Sequence, residues 1–128
     1  MKSYTDIEQS KTLAKILPLE SADMSWVSCD NGQQKYYQAE SRRIILNYEK
    51  KHWIPCWSLA ALLNIIPQEI FDGEYIINIT EGINNRWVIT YDHNENRNHS
   101  YYGLSTSADN LVDACTDIII KLKERNII

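Results

Sequence analysis

The residues best placed to do chemistry lie in the segment HWIPCWSLAALLNIIP, residues 52–67, where a histidine precedes a cysteine by four positions. A thiol beside a helix N-terminus has a lowered pKa and can act as a nucleophile. Pro55 keeps a helix from starting earlier, so the sequence predicts a helix that begins just after Cys56. However, the spacing with its intervening proline does not place the His52 imidazole on the thiol, and no third, orienting group follows from the sequence. We therefore interpret Cys56 as a small apolar residue at a helix entrance, with no catalytic residue assigned and a Cys-dependent enzyme kept as a remote alternative.

A second chemical candidate is the polar segment around residues 92–100, which contains Asp92, His93, Glu95 and His99. A zinc site needs four ligands in a fixed geometry, often with short spacing between paired ligands. These residues are widely spread in a segment that is typical of a solvated hairpin tip. No metal and no cofactor are therefore predicted.

A third candidate is a local cluster of basic and aromatic residues in an otherwise acidic chain. It consists of Arg42, Arg43, Tyr48, Lys50, Lys51, His52 and Trp53. Such a strip could hold a phosphate or a nucleotide, with a base stacked on the aromatic rings. The simpler alternative is an edge strand whose cations prevent aggregation. We name these seven residues the basic–aromatic strip and keep both interpretations open.

Composition limits the classes of protein to which the chain can belong. It has 128 residues, 44% of them hydrophobic and 23% charged, with a net charge of -4. We expect one domain over residues 1–128 with its own core, and no nucleic-acid partner. The four glycines form no phosphate-binding loop, and no apolar run is long enough to cross a membrane. No signal peptide is recognisable in the sequence. The number of cysteines is odd, three, and without an export signal this indicates reduced thiols in the cytoplasm.

The elements of the first half can be predicted from their start and stop signals. Thr5 and Glu8 have the spacing of a capping box, and Pro18 ends the helix that would follow. Asn31-Gly32 is typical of a type I′ turn and predicts a hairpin of Ser25–Cys29 with Gln34–Gln38. Residues 44–46 suit a strand, although a helical turn before them is equally consistent with the sequence.

The second half shows clearer periodicity. Leu59, Leu62, Leu63 and Ile66 form an apolar helical stripe that Pro67 ends. The segments EYIINIT and RWVITYD alternate as strands, a loop at residues 82–85 joins them, and YYGL suits a short third strand. The last helix has a stripe of Leu111, Cys115, Ile118, Ile119 and Leu122. This stripe predicts that Ile118 is buried while Asp117 and Lys121 face water.

The order of these elements predicts an α+β fold, an antiparallel sheet with about three helices packed on one face. Three segments also resemble a group of uncharacterised short proteins of gut Bacteroidales, their phages and mobile elements. The segments are IEQSKTLAKILPLESADMSW, IPCWSLAALLNIIP and NLVDACTDIIIKLKE. The pattern Pro-x-Trp-Ser-Leu-x-x-Leu-Leu, residues 55–63, is the most specific part. The resemblance implies a small intracellular protein encoded by a phage or mobile element, and it implies no catalytic residue, cofactor or substrate.

Three functions from different classes follow from these observations. The first is a non-enzymatic binding or interaction module that self-associates or binds a protein partner, favoured by 13 aromatic residues, four of them tryptophan. One face of a sheet that carries helices on the other needs cover, which a partner could supply. The second is a small-ligand sponge or inhibitor that holds an anionic, nucleotide-like molecule on the basic–aromatic strip. The Cys-dependent enzyme is third.

Overall fold

The α+β prediction is confirmed by a computed structural model, which describes residues 1–30, 32, 35–41 and 53–128. The described residues form two antiparallel sheets and three α-helices. The chain divides into two compact units. Residues 3–61 form the N-terminal unit, and residues 62–128 together with residues 1–2 form the C-terminal unit. The prediction of a single domain over residues 1–128 stays a prediction.

The N-terminal unit combines one helix with a three-stranded sheet. Helix α1 spans Ile7–Ala14, and a 3₁₀ turn at Leu19–Ser21 leads into the sheet. The strands are β1 (Met24–Asp30), β2 (Lys35–Ser41) and β3 (Trp53–Cys56), in the spatial order β2-β1-β3. Strand β3 was not predicted, because its four residues contain a proline and directly precede a helix. Pro55 is compatible with this position because β3 lies at an edge of the sheet.

The capping box of α1 lies one residue further along the chain than the sequence predicts. Asp6 caps the helix, with its carboxylate accepting from the Gln9 amide at 2.8 Å and the Gln9 side chain accepting from the Asp6 amide at 3.0 Å. The prediction for Thr5 and Glu8 is wrong because the Thr5 hydroxyl is engaged elsewhere. It shares a hydrogen bond of 2.7 Å with Ser10 inside the unit.

The predicted hairpin is present, with longer strands and a different connection. The last pair of the ladder joins Asp30 and Lys35, which leaves four residues between the strands rather than the two of a type I′ turn. Gly32 has a φ of +86°, the conformation for which glycine is suited. Asn31 and residues 33–34 lie outside the described residues, as does the strand or helical turn predicted near residues 44–46.

Helix α2 spans Leu59–Ile65, as the sequence predicts. Leu62 and Ile66 of its stripe are buried, whereas Leu63 is exposed. The buried stripe is therefore narrower than predicted, because a helix of only two turns places few of its residues on the buried side.

The C-terminal unit is a four-stranded antiparallel sheet with one long helix against it. The strands are β4 (Glu69–Ile70), β5 (Tyr75–Glu81), β6 (Trp87–His93) and β7 (Ser100–Ala108), in that spatial order. A 3₁₀ turn at Ile83–Asn85 joins β5 to β6. The two alternating segments are confirmed as β5 and β6. Strand β4 was missed because two residues carry no periodicity, and β7 extends well beyond the predicted YYGL.

Helix α3 spans Leu111–Glu124 and confirms the prediction for the last helix. The Asn110 side chain caps it by accepting from the Asp113 amide at 2.9 Å. Ile118 is fully buried and Asp117 is exposed, as predicted. Lys121, which was predicted to face water as Asp117 does, is half-buried instead, because its ammonium group donates to the Ser105 carbonyl at 2.6 Å. Within the described residues, none of the helices has both the length and the apolar character that a membrane crossing requires.

Candidate functional site

The structure describes one residue of the basic–aromatic strip, Trp53, which begins β3. The other six residues lie outside the described residues: Arg42, Arg43, Tyr48, Lys50, Lys51 and His52. The nucleotide site and the guarded edge strand therefore both stay predictions for this segment.

Trp53 belongs to a face of the three-stranded sheet that carries unsatisfied polar atoms. Within the described part of the chain, Trp53 Nε1, Ser25 Oγ and Glu40 Oε2 are buried without a hydrogen-bond partner. Ser25 lies opposite Glu40 in the β1–β2 ladder, and Val27, two residues further along β1, lies opposite Trp53. Because alternate residues share a face, the three side chains lie on the same side of the sheet. Together they offer a donor, an acceptor and a hydroxyl, which a mixed donor–acceptor ligand could satisfy.

Cys56 is part of the core of the N-terminal unit. Its side chain is fully buried in β3, and its sulfur lies 3.5 Å from the Thr5 carbonyl oxygen and 3.6 Å from the Thr5 hydroxyl. Burial raises the pKa of the Cys56 thiol, an effect that outweighs the opposing hydrogen bonds from Thr5 and Ser10. An activated nucleophile needs the opposite shift. This environment supports the interpretation of Cys56 as a small apolar residue.

Thr5 is a structural residue that the sequence does not reveal. Its hydroxyl accepts from the Trp57 amide at 3.1 Å, and its carbonyl oxygen accepts from the Trp26 indole at 3.0 Å. Its backbone amide donates to the Trp57 carbonyl oxygen at 2.9 Å. Thr5 thereby joins the chain before α1 to both β1 and the end of β3. A buried threonine with three long-range partners has no signature in local sequence.

The polar segment around residues 92–100 contains a carboxylate that is already satisfied. Asp92 is buried and accepts from Asn78 at 2.9 Å and from Ser100 at 2.7 Å. Burial tends to raise the pKa of Asp92, but the hydrogen bonds and the positive charge of Arg97 lower it below its ordinary value. In the residues that the structure describes, no three His, Cys, Asp or Glu side chains converge as a metal site would require.

The C-terminal unit carries an open groove that does not follow from the sequence alone. Its cavity volume is about 790 Å³. We call it the aromatic groove and define it by Glu69, Ile70, Phe71, Tyr101, Glu124, Arg125 and Ile127.

Phe71 is the most unusual residue of the aromatic groove. It follows β4 in a tight turn and has a φ of +53°, with Asp72 at +56° and Gly73 at +86° beside it. A bulky residue in the left-handed region costs on the order of 1–2 kcal/mol. The ring is nevertheless 45% exposed, with its centroid 5.1 Å from that of Tyr101 and 6.3 Å from that of Tyr75. A costly backbone conformation thus presents an aromatic surface to solvent.

The charged groups of the aromatic groove give it an acidic balance. Glu69 and Glu124 are both exposed, and a Cβ at Gly73 would lie 3.5 Å from the Glu69 carboxylate, so that carboxylate lies close to the turn. The Arg125 guanidinium donates to the Tyr102 carbonyl at 3.0 Å and lies 5.7 Å from the centroid of the Tyr101 ring. This guanidinium is already bound within the unit, whereas Glu69 and Glu124 are exposed residues that line the groove.

The sequence contained one signal for this groove. An aromatic residue followed by Asp-Gly, as at Phe71, stands where turn chemistry favours small or polar residues.

Comparison of the chain with protein-family models, with curated proteins and with solved structures finds no match.

Proposed function

We propose that the protein is a non-enzymatic interaction module that binds a protein partner in the aromatic groove and that self-associates. The observation that carries the groove assignment is Phe71, a half-exposed aromatic ring held by a left-handed backbone. Such local strain persists where the surrounding structure imposes it, and it is concentrated at functional sites. Asp72 and Gly73 continue the same left-handed turn, and the Phe71 ring lies beside that of Tyr101.

The chemistry of the groove favours a basic side chain with an aliphatic stem as its occupant. The carboxylates of Glu69 and Glu124 attract a cation, and the rings of Phe71 and Tyr101 contact its stem. Arg125 does not compete strongly for the carboxylates, because its guanidinium is bound to the Tyr102 carbonyl. An arginine or lysine of a partner protein matches both features.

A binding role without catalysis is also supported by the thiols. Cys56 and Cys115 are fully buried, and burial raises the pKa of Cys115 to about 12. Buried thiols with raised pKa values are poor nucleophiles at neutral pH.

The test is a two-dimensional NMR titration with N-acetylarginine methylamide, and with N-acetylglutamate methylamide as the matched control of opposite charge. We expect the arginine probe to shift the resonances of Phe71, Tyr101 and their neighbours, with a dissociation constant on the order of 1 mM. The glutamate probe should leave them unchanged. Equal shifts with both probes, or shifts confined to residues outside the groove, would rule out the proposed site.

A second candidate, a small anionic ligand on the basic–aromatic strip, is favoured by one observation. The Trp53 indole N–H is buried without an acceptor, and such a donor is satisfied by an oxygen of a ligand. The carboxylate of Glu40 on the same face could accept from an amino group of a nucleobase.

This second candidate predicts that a ligand co-purifies with the protein or stabilises it. Mass spectrometry of the denatured protein and thermal unfolding with a panel of nucleotides test it. Trp53→Phe retains an aromatic ring without the donor, so it should abolish any nucleotide-induced stabilisation. If no ligand is found and no nucleotide raises the unfolding temperature, the candidate fails.

The resemblance of residues 55–63 to short proteins of Bacteroidales and their phages supports a further part of the proposal. We propose that the protein is intracellular and encoded by a phage or mobile element. An interaction module with a recessed acidic groove is compatible with such an origin.

A further inference from the structure

We infer that β2 is the self-association surface, and that it pairs antiparallel with β2 of a second copy to form one continuous six-stranded sheet. This inference rests on the self-association part of the proposed function. A sheet edge presents unpaired backbone donors and acceptors, and another strand can bind to it. The four edges of the two sheets differ in how they are protected.

The edge at β7 is blocked by basic side chains. Three of them donate hydrogen bonds to its outward carbonyl oxygens: Arg86 to Ser107 at 3.1 Å, Lys121 to Ser105 at 2.6 Å and Arg125 to Tyr102 at 3.0 Å. The β6–β7 register also shifts between Thr90 and Asp92. Capping cations and a bulge are both known protections against edge-to-edge pairing.

The Arg125 contact depends on Gly103. Gly103 has a φ of +74°, and a Cβ there would overlap the guanidinium group. Gly103 therefore leaves the space that the Arg125 side chain occupies when it binds the edge of β7. The protection of β7 is built into the local backbone.

The other edges are too short or interrupted to bind a strand. Strand β4 has two residues, and β3 has four, one of which is Pro55. Strand β2 differs from all three. It has seven residues, and its pairing with β1 is continuous from Met24↔Ser41 to Asp30↔Lys35. Within the described residues, no other element forms backbone hydrogen bonds with β2 besides β1.

The side chains of β2 are exposed as an open edge requires. Tyr36, Tyr37 and Gln38 are all exposed, with Tyr36 at 40% and Tyr37 at 47%. Tyrosine has a high preference for strands, and cross-strand aromatic contacts stabilise pairing. Among the described side chains, none donates a hydrogen bond to a backbone carbonyl of β2, whereas three basic side chains do so at β7.

Backbone geometry then restricts the register of self-pairing. Outward-pointing backbone groups alternate along a strand, so facing residues in an antiparallel pair must be separated by an even number of positions. The register with the longest overlap places Gln38 opposite Gln38 on the two-fold axis. It places Tyr36 opposite Glu40 and Tyr37 opposite Ala39, and no like charges face each other among these residues.

The symmetric position of Gln38 provides a sharp test by sedimentation velocity over about 10–300 µM protein. Wild type should be a dimer in the upper part of this range. Gln38→Glu and Gln38→Lys each place two like charges opposite each other, about 5 Å apart, and each should weaken dimerisation roughly tenfold or more. An equimolar mixture of the two variants should recover a dimer, because opposite charges then face each other.

Two controls are needed, one at the edge formed by β7 and one for the folding of the variants. Ser105→Glu and Ser105→Lys in β7 change an exposed residue in the same two ways and should leave sedimentation unchanged. Circular dichroism should show that all four variants are folded. If Gln38→Glu dimerises as wild type does, or if mixing fails to recover the dimer, the assignment of β2 is overturned while self-association stands. If wild type is a monomer throughout, self-association itself is wrong, whereas binding in the groove is decided separately by the arginine titration.

Discussion

At the scale of single residues, the chemistry that a side chain can do depends on what surrounds it. Cys56 has the neighbours of a reactive cysteine in the sequence and those of a core residue in the fold. Its sulfur contacts Thr5, which is 51 positions away in the chain. That contact could not be predicted, because no local pattern marks a buried threonine as a partner for a distant thiol.

Cysteine reactivity gives the first prediction. In native protein, iodoacetamide should label Cys29 first, because it is half-buried whereas Cys56 and Cys115 are fully buried with raised pKa values. Mass spectrometry of protein quenched at intervals at neutral pH measures the order of labelling. In urea the three cysteines should react at similar rates. Fastest labelling at Cys56 in the native protein would revive the enzyme hypothesis.

Asp92 gives a prediction about pH. Its folded-state pKa is lowered because hydrogen bonds from Ser100 and Asn78 and the charge of Arg97 outweigh burial. A lowered pKa contributes stability above the unfolded-state value of about 3.9, and this contribution is lost as pH falls through the folded-state pKa.

Asp92→Asn should therefore destabilise the protein by about 1–3 kcal/mol at pH 7 and by much less near pH 2. Ser100→Ala removes one of the hydrogen bonds and should show the same trend with a smaller amplitude. Urea unfolding of wild type and the two variants at several pH values between 2 and 7 measures both differences in free energy of unfolding. A difference in free energy of unfolding that does not change with pH would contradict the assigned environment of Asp92.

At the scale of elements, periodicity predicted the long helices and strands that have one apolar face. Helix α3 and strands β5 and β6 are regular enough for their buried faces to be read from spacing. Short elements are different, because β3 and β4 are held by pairing with longer neighbours and not by their own pattern. The capping box shifted by one residue for a related reason, since Thr5 has tertiary partners that local rules do not include.

Helix α3 provides the prediction at this scale. Ile118→Ala should lower the free energy of unfolding by about 2–5 kcal/mol, through lost burial and the cavity that remains. Asp117→Ala should cost at most about 0.5 kcal/mol, because Asp117 is exposed and substitutions of exposed residues change stability little. Burial and the nearby charge of Asp113 also raise the pKa of Asp117, so its carboxylate is not strongly stabilised. Urea midpoints that move equally for both variants would mean that the wrong face of α3 has been placed inside.

At the scale of the whole molecule, composition and element order predicted the α+β class. They did not predict the distribution of the strands over two sheets, because sequence patterns define strands but not which of them pair. The aromatic groove escaped prediction for a similar reason. Phe71 and Tyr101 are 30 positions apart, and only the fold of the C-terminal unit brings their rings within 5.1 Å.

The strained backbone at Phe71 allows a substitution that removes the ring without a large loss of stability, so that an effect on binding can be distinguished from an effect on folding. Phe71→Gly removes the ring and also the left-handed strain, so the two effects on stability should cancel to within about 1 kcal/mol. Asp72→Gly is the matched control, since it relieves the neighbouring strain at φ +56° and leaves the ring in place. Glycine relieves the strain but has more freedom in the unfolded chain, so the stability of this variant should stay within about 1 kcal/mol of that of wild type.

The most direct test of the interaction-module proposal is the affinity of the arginine probe for these two variants and wild type, measured by NMR titration with urea unfolding alongside. We predict that Phe71→Gly weakens binding at least roughly fivefold, about 1 kcal/mol, with little change in stability, while Asp72→Gly binds as wild type does. If Phe71→Gly binds the probe as tightly as wild type does, Phe71 is not the binding residue and the proposed function of the groove is contradicted.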